Sequence, residues 1–490
     1  MKNLNRTHID NDTSIPPTAK CLIGGKWFDG EGDIKDTVGP RDGAIVSRVR
    51  FASPRQVDAA VSAAREAQKK WAVLTIGQRA EILQAGLNAV EIDAETICRW
   101  ISLEMGKTIN ESREEVIGSY LLPASRIVIE EARRFSGSMP PARSSDRPHR
   151  RIQIIHQPIG VTAIISPWNF PVDNIVMCIS SMMMGNTCVW KPSEWAPFAP
   201  QLLAEKFISA GLPAGVFNLI YGGPEVGNHL VAHDDVGLIS FVGSTPVGEQ
   251  ITKTAGVKRL LLELGGNGPM IVLEDADIDR AVKAAKDSCF YQAGQICIAA
   301  ERILVHEAVY DEFAQKLATV ARQIRVGDPL DEKTEMGPLS ERRILEKVAL
   351  HVEDAKAKGA EVLTGGTYEG LYFEPTVLTG VTPGMLINDE ETFGPVAPLV
   401  KIRNVGEAID LANTSPYGLI MSVFTESLKT ALLIAESLEA GTVNINAGTS
   451  DVDINGAFGG WKKSGYGRLS VLGEFGFTAF TNMKTITYEL

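Results

Sequence analysis

An α/β fold built from two alternating strand-and-helix units is predicted for this chain, and three observations predict it. Short apolar runs bounded by turn residues recur along the sequence, each followed by a segment of helical spacing. The runs fall into two sets that meet near Gly265 and Gly266, directly after Leu260-Leu261-Leu262-Glu263-Leu264. At 490 residues the chain exceeds the length over which one hydrophobic core keeps growing, so two or more domains are expected.

Taken in order, Met1 to Lys20 are polar and lack the apolar stretch of a signal peptide, which predicts a mobile tail. Cys21-Leu22-Ile23-Gly24-Gly25-Lys26-Trp27 reads as a strand pair turning at its glycines. Pro54 then opens a helix with Ser53 as its N-cap, and Val57, Ala60, Val61, Ala64 and Ala67 keep helical spacing toward Trp71. A second amphipathic helix runs from Ile76 to about Val90, and Glu104 to Glu115 and Tyr120 to Phe135 extend a mostly helical N-terminal third until Gly137, Pro140 and Pro141 end it.

Arg150 to Pro158 alternates like a strand but stands alone between loop signals, and the run from Phe477 to Tyr488 is strand-like too. Isolated strands of this length need partners, so both are expected to join subunits. Between them, Gly160 to Ile165, Asn186 to Trp190, Val216 to Ile220 and Gly237 to Val242 make a doubly wound parallel sheet. Met270 to Leu273, Ile303 to Val305, Tyr372 to Leu378, Val396 to Val400 and Gly441 to Asn446 make the second set.

Composition excludes several classes of function. A net charge of -12 with both signs interspersed argues against a nucleic-acid surface, and the one basic cluster, Arg143 to Arg151, is short and broken by Pro148. That cluster fits a solvated edge better than a phosphate patch. The longest weakly polar run, Phe170 to Trp190, contains Asp173, Asn174, Ser180, Ser181 and Asn186, which argues against a membrane span. Six cysteines without a CxxC pair point to a reducing compartment, so a cytoplasmic protein is expected. Seven scattered histidines give no zinc spacing, and no metal is expected.

Several stretches carry groups suited to chemistry. Cys297 follows Gly294-Gln295-Ile296 and is a candidate nucleophile, although a free cysteine is more often a small buried hydrophobe. Phe241-Val242-Gly243-Ser244-Thr245 offers free amides and a hydroxyl at a helix start where phosphate can approach, but it also fits an ordinary tight turn. Lys191 and Glu194 pair a donor with an acceptor suited to a vicinal diol, and equally suit a surface ion pair. Glu263 ends an apolar strand, where desolvation raises a carboxyl toward the range of a general base. Asn169 has an amide able to donate to an oxyanion, and Glu391 and Phe393 place an acid beside an aromatic ring.

The ordered occurrence of Pro167-Trp168-Asn169-Phe170-Pro171, Lys191-Pro192-Ser193-Glu194, Phe241-Val242-Gly243-Ser244-Thr245, Glu263-Leu264-Gly265-Gly266, Gly294-Gln295-Ile296-Cys297, Glu391-Thr392-Phe393-Gly394-Pro395 and Phe458-Gly459-Gly460 resembles the aldehyde dehydrogenase superfamily of the hydrolytic, NAD(P)-dependent type over nearly the whole chain. The resemblance implies a Rossmann-like NAD(P)-binding domain (1–138 and 159–265), an α/β catalytic thiol domain (266–466) and a small β oligomerisation element (139–158 and 467–490). It implies Cys297 as nucleophile, Asn169 with the Cys297 N–H as oxyanion donors, and Glu263 as the base that hydrolyses the thioester.

Cofactor contacts implied by the resemblance are Ile165, Ser166, Trp168, Lys191, Ser193, Glu194, Gly227, Gly243, Ser244, Glu391 and Phe393. Glu194 favours NAD, with NADP tolerated through Lys191 and Ser193. The aldehyde substrate would meet Asp173, Asn174, Met177, Tyr291, Ile296, Ile298, Ser450, Val452 and Phe458. Met177 stands where succinate-semialdehyde enzymes carry arginine, so a small polar, hydroxylated or polar aromatic aldehyde is expected instead. The chain departs from the common pattern at Asn267, at Ala457 and in the longer run Arg468 to Gly473, and none of these removes a catalytic group. Self-association to a dimer or tetramer is implied. The competing readings are a CoA-acylating enzyme, which Glu263 argues against, and a non-catalytic binding or structural protein.

Overall fold

The computed structural model of the chain describes residues 16–143, 146–467 and 473–489. The expected mobile tail therefore lies outside the described residues up to position 15, as do two serines of the basic cluster and most of the longer run at 468–473.

Two large sheets dominate. The first has eight strands in the order Gly465–Tyr466, Arg259–Glu263, Val236–Val242, Val161–Ile165, Thr187–Lys191, Phe217–Leu219, Cys21–Ile23 and Lys26–Phe28. Its five central strands are parallel. They read as continuous apolar runs because helices cover both faces; Val161–Ile165 and Thr187–Lys191 are buried throughout. From Val161–Ile165 the chain winds outward to Phe217–Leu219, then crosses to Val236–Val242 on the other side. The order reverses there, which opens a crevice at the carboxyl ends of the strands.

The second sheet has seven strands, Glu361–Thr364, Thr376–Thr379, Val396–Ile402, Ala300–His306, Gly268–Val272, Ile420–Phe424 and Thr442–Ile445, parallel except at the Glu361–Thr364 edge. Each sheet has its own apolar core. Gly465–Tyr466 belongs to the first sheet although it lies inside the 266–466 stretch, because the Leu264 N–H donates to the Ser464 carbonyl (2.9 Å) and Ser464 Oγ donates to the Gly265 carbonyl (2.7 Å).

The Ser53 cap is as expected: its side chain accepts from the Gln56 N–H, Gln56 reciprocates, and the helix runs Pro54–Trp71. Trp71 anchors it by donating to the Met182 carbonyl (2.8 Å). Other elements differ from the sequence pattern. The N-terminal third also holds strands Ile34–Val38 and Ile45–Arg50, whose mixed polar and apolar residues hide a half-exposed sheet. Helix Ala94–Met105 stops at Gly106 (φ 91°), and Ile109–Arg113 restarts under a Thr108 cap before passing into a π turn at Glu114–Gly118. Tyr372–Phe373 and Thr376–Thr379 are separate strands divided at Glu374-Pro375, where the proline cannot donate to a ladder. Strand Ile420–Phe424 completes the second sheet and went unrecognised.

At the chain end, Gly473–Ala479 is a helix, and the strand begins only at Thr481. Phe477 and Phe480 are buried in the first core. Thr481–Glu489 pairs antiparallel with Arg150–Pro158 along its whole length, so the two isolated strands partner each other as a ribbon. No helix among the described residues is long and apolar enough to cross a membrane, and no cluster of metal-ligating side chains occurs among them.

Candidate active site

The carboxyl ends of the first sheet face the loop that precedes strand Ala300–His306 of the second, and the groups singled out from the sequence converge there. Cys297 is half-buried on that loop. The loop is tightly built: Gln292 and Ala293 are left-handed (φ 50° and 54°), and Gly294 must be glycine because a Cβ would lie 2.1 Å from the Gly394 carbonyl oxygen. Gln295 fixes it further, donating to the Gln292 carbonyl (2.9 Å) and accepting from the Ser340 N–H (2.9 Å).

Glu263 ends strand Arg259–Glu263 and is 2% exposed, so it is a buried acid rather than an exposed strand terminus. Its carboxyl faces the Cys297 thiol, and Oε1 has no hydrogen-bond partner. Burial raises it to about 8, against an ordinary 4.5, with the Cys297 thiol opposing. Burial, together with the facing Glu263, also pushes the Cys297 thiol well above its usual range. The pair therefore mostly carries its protons near neutrality, and the ionised fraction of Glu263 is what can accept a proton from sulfur.

Asn169 is buried, and its Nδ2 donates to the Gln295 carbonyl at 2.9 Å. That bond ties the amide to the thiol loop and leaves its second N–H for an incoming oxygen.

Along the crevice, Lys191 Nζ lies 3.7 Å from Glu194 Oε2, both largely buried, and Lys35 Nζ lies 3.8 Å from Glu194 Oε1. Lys35 also sits over the Trp195 ring. It comes from a strand too distant in sequence to be associated with Glu194 without the fold. Ser193 Oγ accepts from the Trp195 N–H, and Ser166 Oγ accepts from Trp190 Nε1 (2.9 Å), beside buried Ile165. Gly227 lies on helix Pro224–Ala232, close enough that a Cβ would touch the Lys191 stem. Ser244 caps helix Thr245–Thr254 without a side-chain bond, leaving first-turn amides beyond Gly243 facing the crevice. At the far end, Glu391 accepts from the Gly266 N–H (2.8 Å), and the Trp168 and Phe393 rings meet edge to face at 5.8 Å. Donors for a diol, amides at a helix start and an aromatic end wall thus line one crevice, an arrangement that fits a dinucleotide.

Four supporting residues were missed in the sequence. Glu301 accepts from the Thr392 and Phe393 N–H groups, both 2.7 Å, and holds Phe393 in its left-handed conformation (φ 59°). Lys107 and Glu115, both fully buried, form an ion pair at 2.7 Å, and Glu115 also accepts from the Val172 N–H in the Asn169 loop. Glu111 accepts from the Gln292 N–H at 2.6 Å in the thiol loop. Thr108-x-x-Glu111 is a legible capping box, but nothing in it announces the bond to Gln292. Asn267, where lysine is frequent, donates to the Asn388 and Glu390 carbonyls and so steadies the Glu391 loop.

A cavity of about 390 Å³ is lined by Ile296 and Ile298, the residues on either side of Cys297 in the chain. Of the proposed substrate contacts, Tyr291, Ile296, Ile298 and Ser450 line it. Asp173, Asn174, Met177, Val452 and Phe458 do not. Met177 is buried in the first core on helix Ile175–Met183, Asn174 is buried at the start of that helix, and Val452 and Phe458 lie on the half-buried loop beyond Ser450. The Asp173 carboxyl is raised to about 7 by burial and by Glu115.

The aldehyde dehydrogenase family pattern matches residues 27–486. The chain belongs to the aldehyde dehydrogenase family. It is 38% identical over 457 residues to the NADP(+) succinate-semialdehyde dehydrogenase of Escherichia coli (strain K12), covering 92% of this chain and 94% of that protein. It is 37% identical over 455 residues to the glutarate-semialdehyde dehydrogenase of Pseudomonas putida, covering 92% and 94%. Among solved structures, an NADP-dependent enzyme from E. coli superposes with a TM-score of 0.93 at 36% identity, covering 96% of this chain and 98% of that one. The betaine aldehyde dehydrogenase of Staphylococcus aureus in complex with NAD+ superposes with a TM-score of 0.91 at 32% identity, covering 96% and 94%.

Proposed function

We propose that this aldehyde dehydrogenase oxidises an aldehyde to its carboxylic acid through a covalent intermediate on Cys297. The observation that carries the reading is the Cys297–Glu263 thiol–carboxyl pair with Asn169 tied to the same loop. Glu263 draws the thiol proton as sulfur attacks the carbonyl carbon, so no free thiolate has to persist in a low-polarity pocket. The Asn169 amide and the Cys297 N–H hold the resulting oxyanion. The dinucleotide, when bound, supplies the acceptor for the two electrons that leave with the aldehyde C–H. Once Glu263 has passed that proton to solvent, its carboxylate takes a second one from water, which attacks the acyl group, and the acid leaves as the departing sulfur recovers a proton.

Lys191, Ser193 and Glu194 hold the adenosine ribose, with Ile165, Ser166 and Gly227 shaping that pocket. Gly243 and Ser244 present amides to the pyrophosphate, and Glu391, Phe393 and Trp168 hold the nicotinamide end. NAD is preferred because the Glu194 carboxylate suits a 2′-hydroxyl, and NADP is accepted because Lys35 and Lys191 flank that carboxylate. The eight-stranded sheet is the cofactor-binding domain and the seven-stranded sheet the thiol domain. The ribbon of Arg150–Pro158 and Thr481–Glu489 joins subunits into a dimer or tetramer. Six free cysteines fit a reducing, cytoplasmic setting.

Aldehyde-dependent formation of reduced cofactor by the full chain, with equimolar free acid and no CoA, tests the proposal. Loss of turnover in Cys297→Ala and stalled acid release in Glu263→Gln support it. Retention of full turnover in Cys297→Ala overturns it.

A further inference from the structure

The cavity lined by Ile296 and Ile298 has an uneven distribution of charge. Its lining includes the carboxylates of Glu111, Glu114, Asp287 and Glu335 against one cation, Lys286. That cation is already engaged: Lys286 Nζ lies 3.6 Å from Glu335, which also faces Arg325 at 3.4 Å. Glu111 is occupied by the N–H groups of Gln292 and Thr108. Glu114 accepts from the Ser119 hydroxyl, and neither it nor Asp287 forms an ion pair among the described residues. Two carboxylates are therefore left facing the cavity without a cation bonded to them.

The same lining includes four aromatic residues, Tyr120, Phe170, Phe290 and Tyr291. Phe170 already carries the Lys107 ammonium 4.1 Å from its ring centre. The Tyr291 hydroxyl oxygen is buried and has no hydrogen-bond partner, and burial keeps that phenol protonated. A buried hydroxyl without a partner is uncommon in a folded protein, and a ligand's N–H or O–H would satisfy it. Aromatic faces and carboxylates together suit an ammonium group.

A second carboxylate on the substrate meets the opposite conditions. It would enter beside Glu114 and Asp287, with Lys286 engaged by Glu335 and with buried Met177 presenting no charge. The semialdehydes named for the E. coli and P. putida relatives end in such a group.

Building on the assignment of Cys297 as nucleophile, we propose that the cavity selects an aldehyde whose far end is a protonated amine, with Glu114 and Asp287 as specificity-determining carboxylates, over one that ends in a carboxylate.

The test compares 3-aminopropanal, butanal and succinate semialdehyde as substrates of the full chain with saturating NAD. The expected order of kcat/KM is 3-aminopropanal, butanal, succinate semialdehyde, with about tenfold or more between first and last. The double variant Glu114→Gln, Asp287→Asn is expected to cut the aminopropanal-to-succinate-semialdehyde ratio by about tenfold. Should that variant fail to fold, the wild type alone decides: raising salt from about 50 to about 500 mM is expected to raise KM for 3-aminopropanal several-fold more than KM for butanal. An active enzyme that prefers succinate semialdehyde over butanal, or a salt response equal for both aldehydes, overturns the proposal while leaving aldehyde oxidation standing. An enzyme inert to all three aldehydes overturns the oxidation reading and this proposal with it.

Discussion

Replacing Glu263 by glutamine is expected to raise stability at alkaline pH while removing acid release. The carboxyl sits at about 8 in the folded chain against 4.5 ordinarily, so the folded state holds this proton more tightly than the unfolded state. Stability is therefore fullest below pH 4.5 and is lost progressively as pH rises toward 8. The whole difference is on the order of 5 kcal/mol, counting about 1.4 kcal/mol per tenfold change in proton affinity. Glutamine escapes that loss because it never ionises, but its buried amide needs partners where Oε1 already has none, which returns about 1–3 kcal/mol. A net gain of about 2–4 kcal/mol above pH 8 remains, whereas near pH 5 the variant is expected to be the less stable by up to about 2 kcal/mol. Thermal melting of both proteins from pH 5 to 9, alongside acid release measured in rapid-quench experiments, checks both halves. Identical pH dependence of Tm in the two proteins would refute a buried carboxyl raised by desolvation.

Further outcomes follow from the same geometry. With Glu263 proposed as the water-activating base, the rate of acid release in the wild type should climb with pH and level off near 8, and a flat profile from pH 6 to 9 would remove it from that step. Lys107→Met leaves Glu115 buried without its cation, so a loss of about 3–5 kcal/mol is expected by thermal or denaturant unfolding, partly recovered in the Lys107→Met, Glu115→Leu double variant. Glu194→Gln is expected to move the NADP-to-NAD ratio of kcat/KM upward by about tenfold, since Lys35 and Lys191 remain to meet a 2′-phosphate. Met483 and Ile486 are 67% and 39% exposed on the ribbon. Changing both to lysine should cost a lone subunit about 0.5 kcal/mol or less yet dissociate an assembly built on that strand, which light scattering would show.

Much of the site was visible as residue types but not as partners. Cys297, Glu263 and Asn169 each stand in a local setting that also fits a structural role, and it was the order of seven motifs along the chain, through the resemblance to a family, that singled them out together. The Rossmann-like sheet was legible because strands buried on both faces leave continuous apolar runs. Strands Ile34–Val38 and Ile45–Arg50 escaped notice because a half-exposed sheet mixes polar and apolar residues. The end of helix Gly473–Ala479, from Phe477 on, was read as strand because its aromatic and threonine residues favour strands locally, whereas burial of Phe477 decides the outcome.

By itself the sequence determined the α/β class and the alternation of its elements, since these rest on periodicity carried within short windows, while the candidate reacting groups came from the order of motifs that resembles the family. Only the tertiary structure decided which groups meet. Lys35 reaches Glu194 from a distant strand, Glu111 grips the thiol loop from the N-terminal half, and Met177 turns into the core and away from the cavity. Those outcomes depend on how two sheets pack across one crevice, where burial and a neighbour's charge, rather than local spacing, set how a carboxyl or thiol behaves.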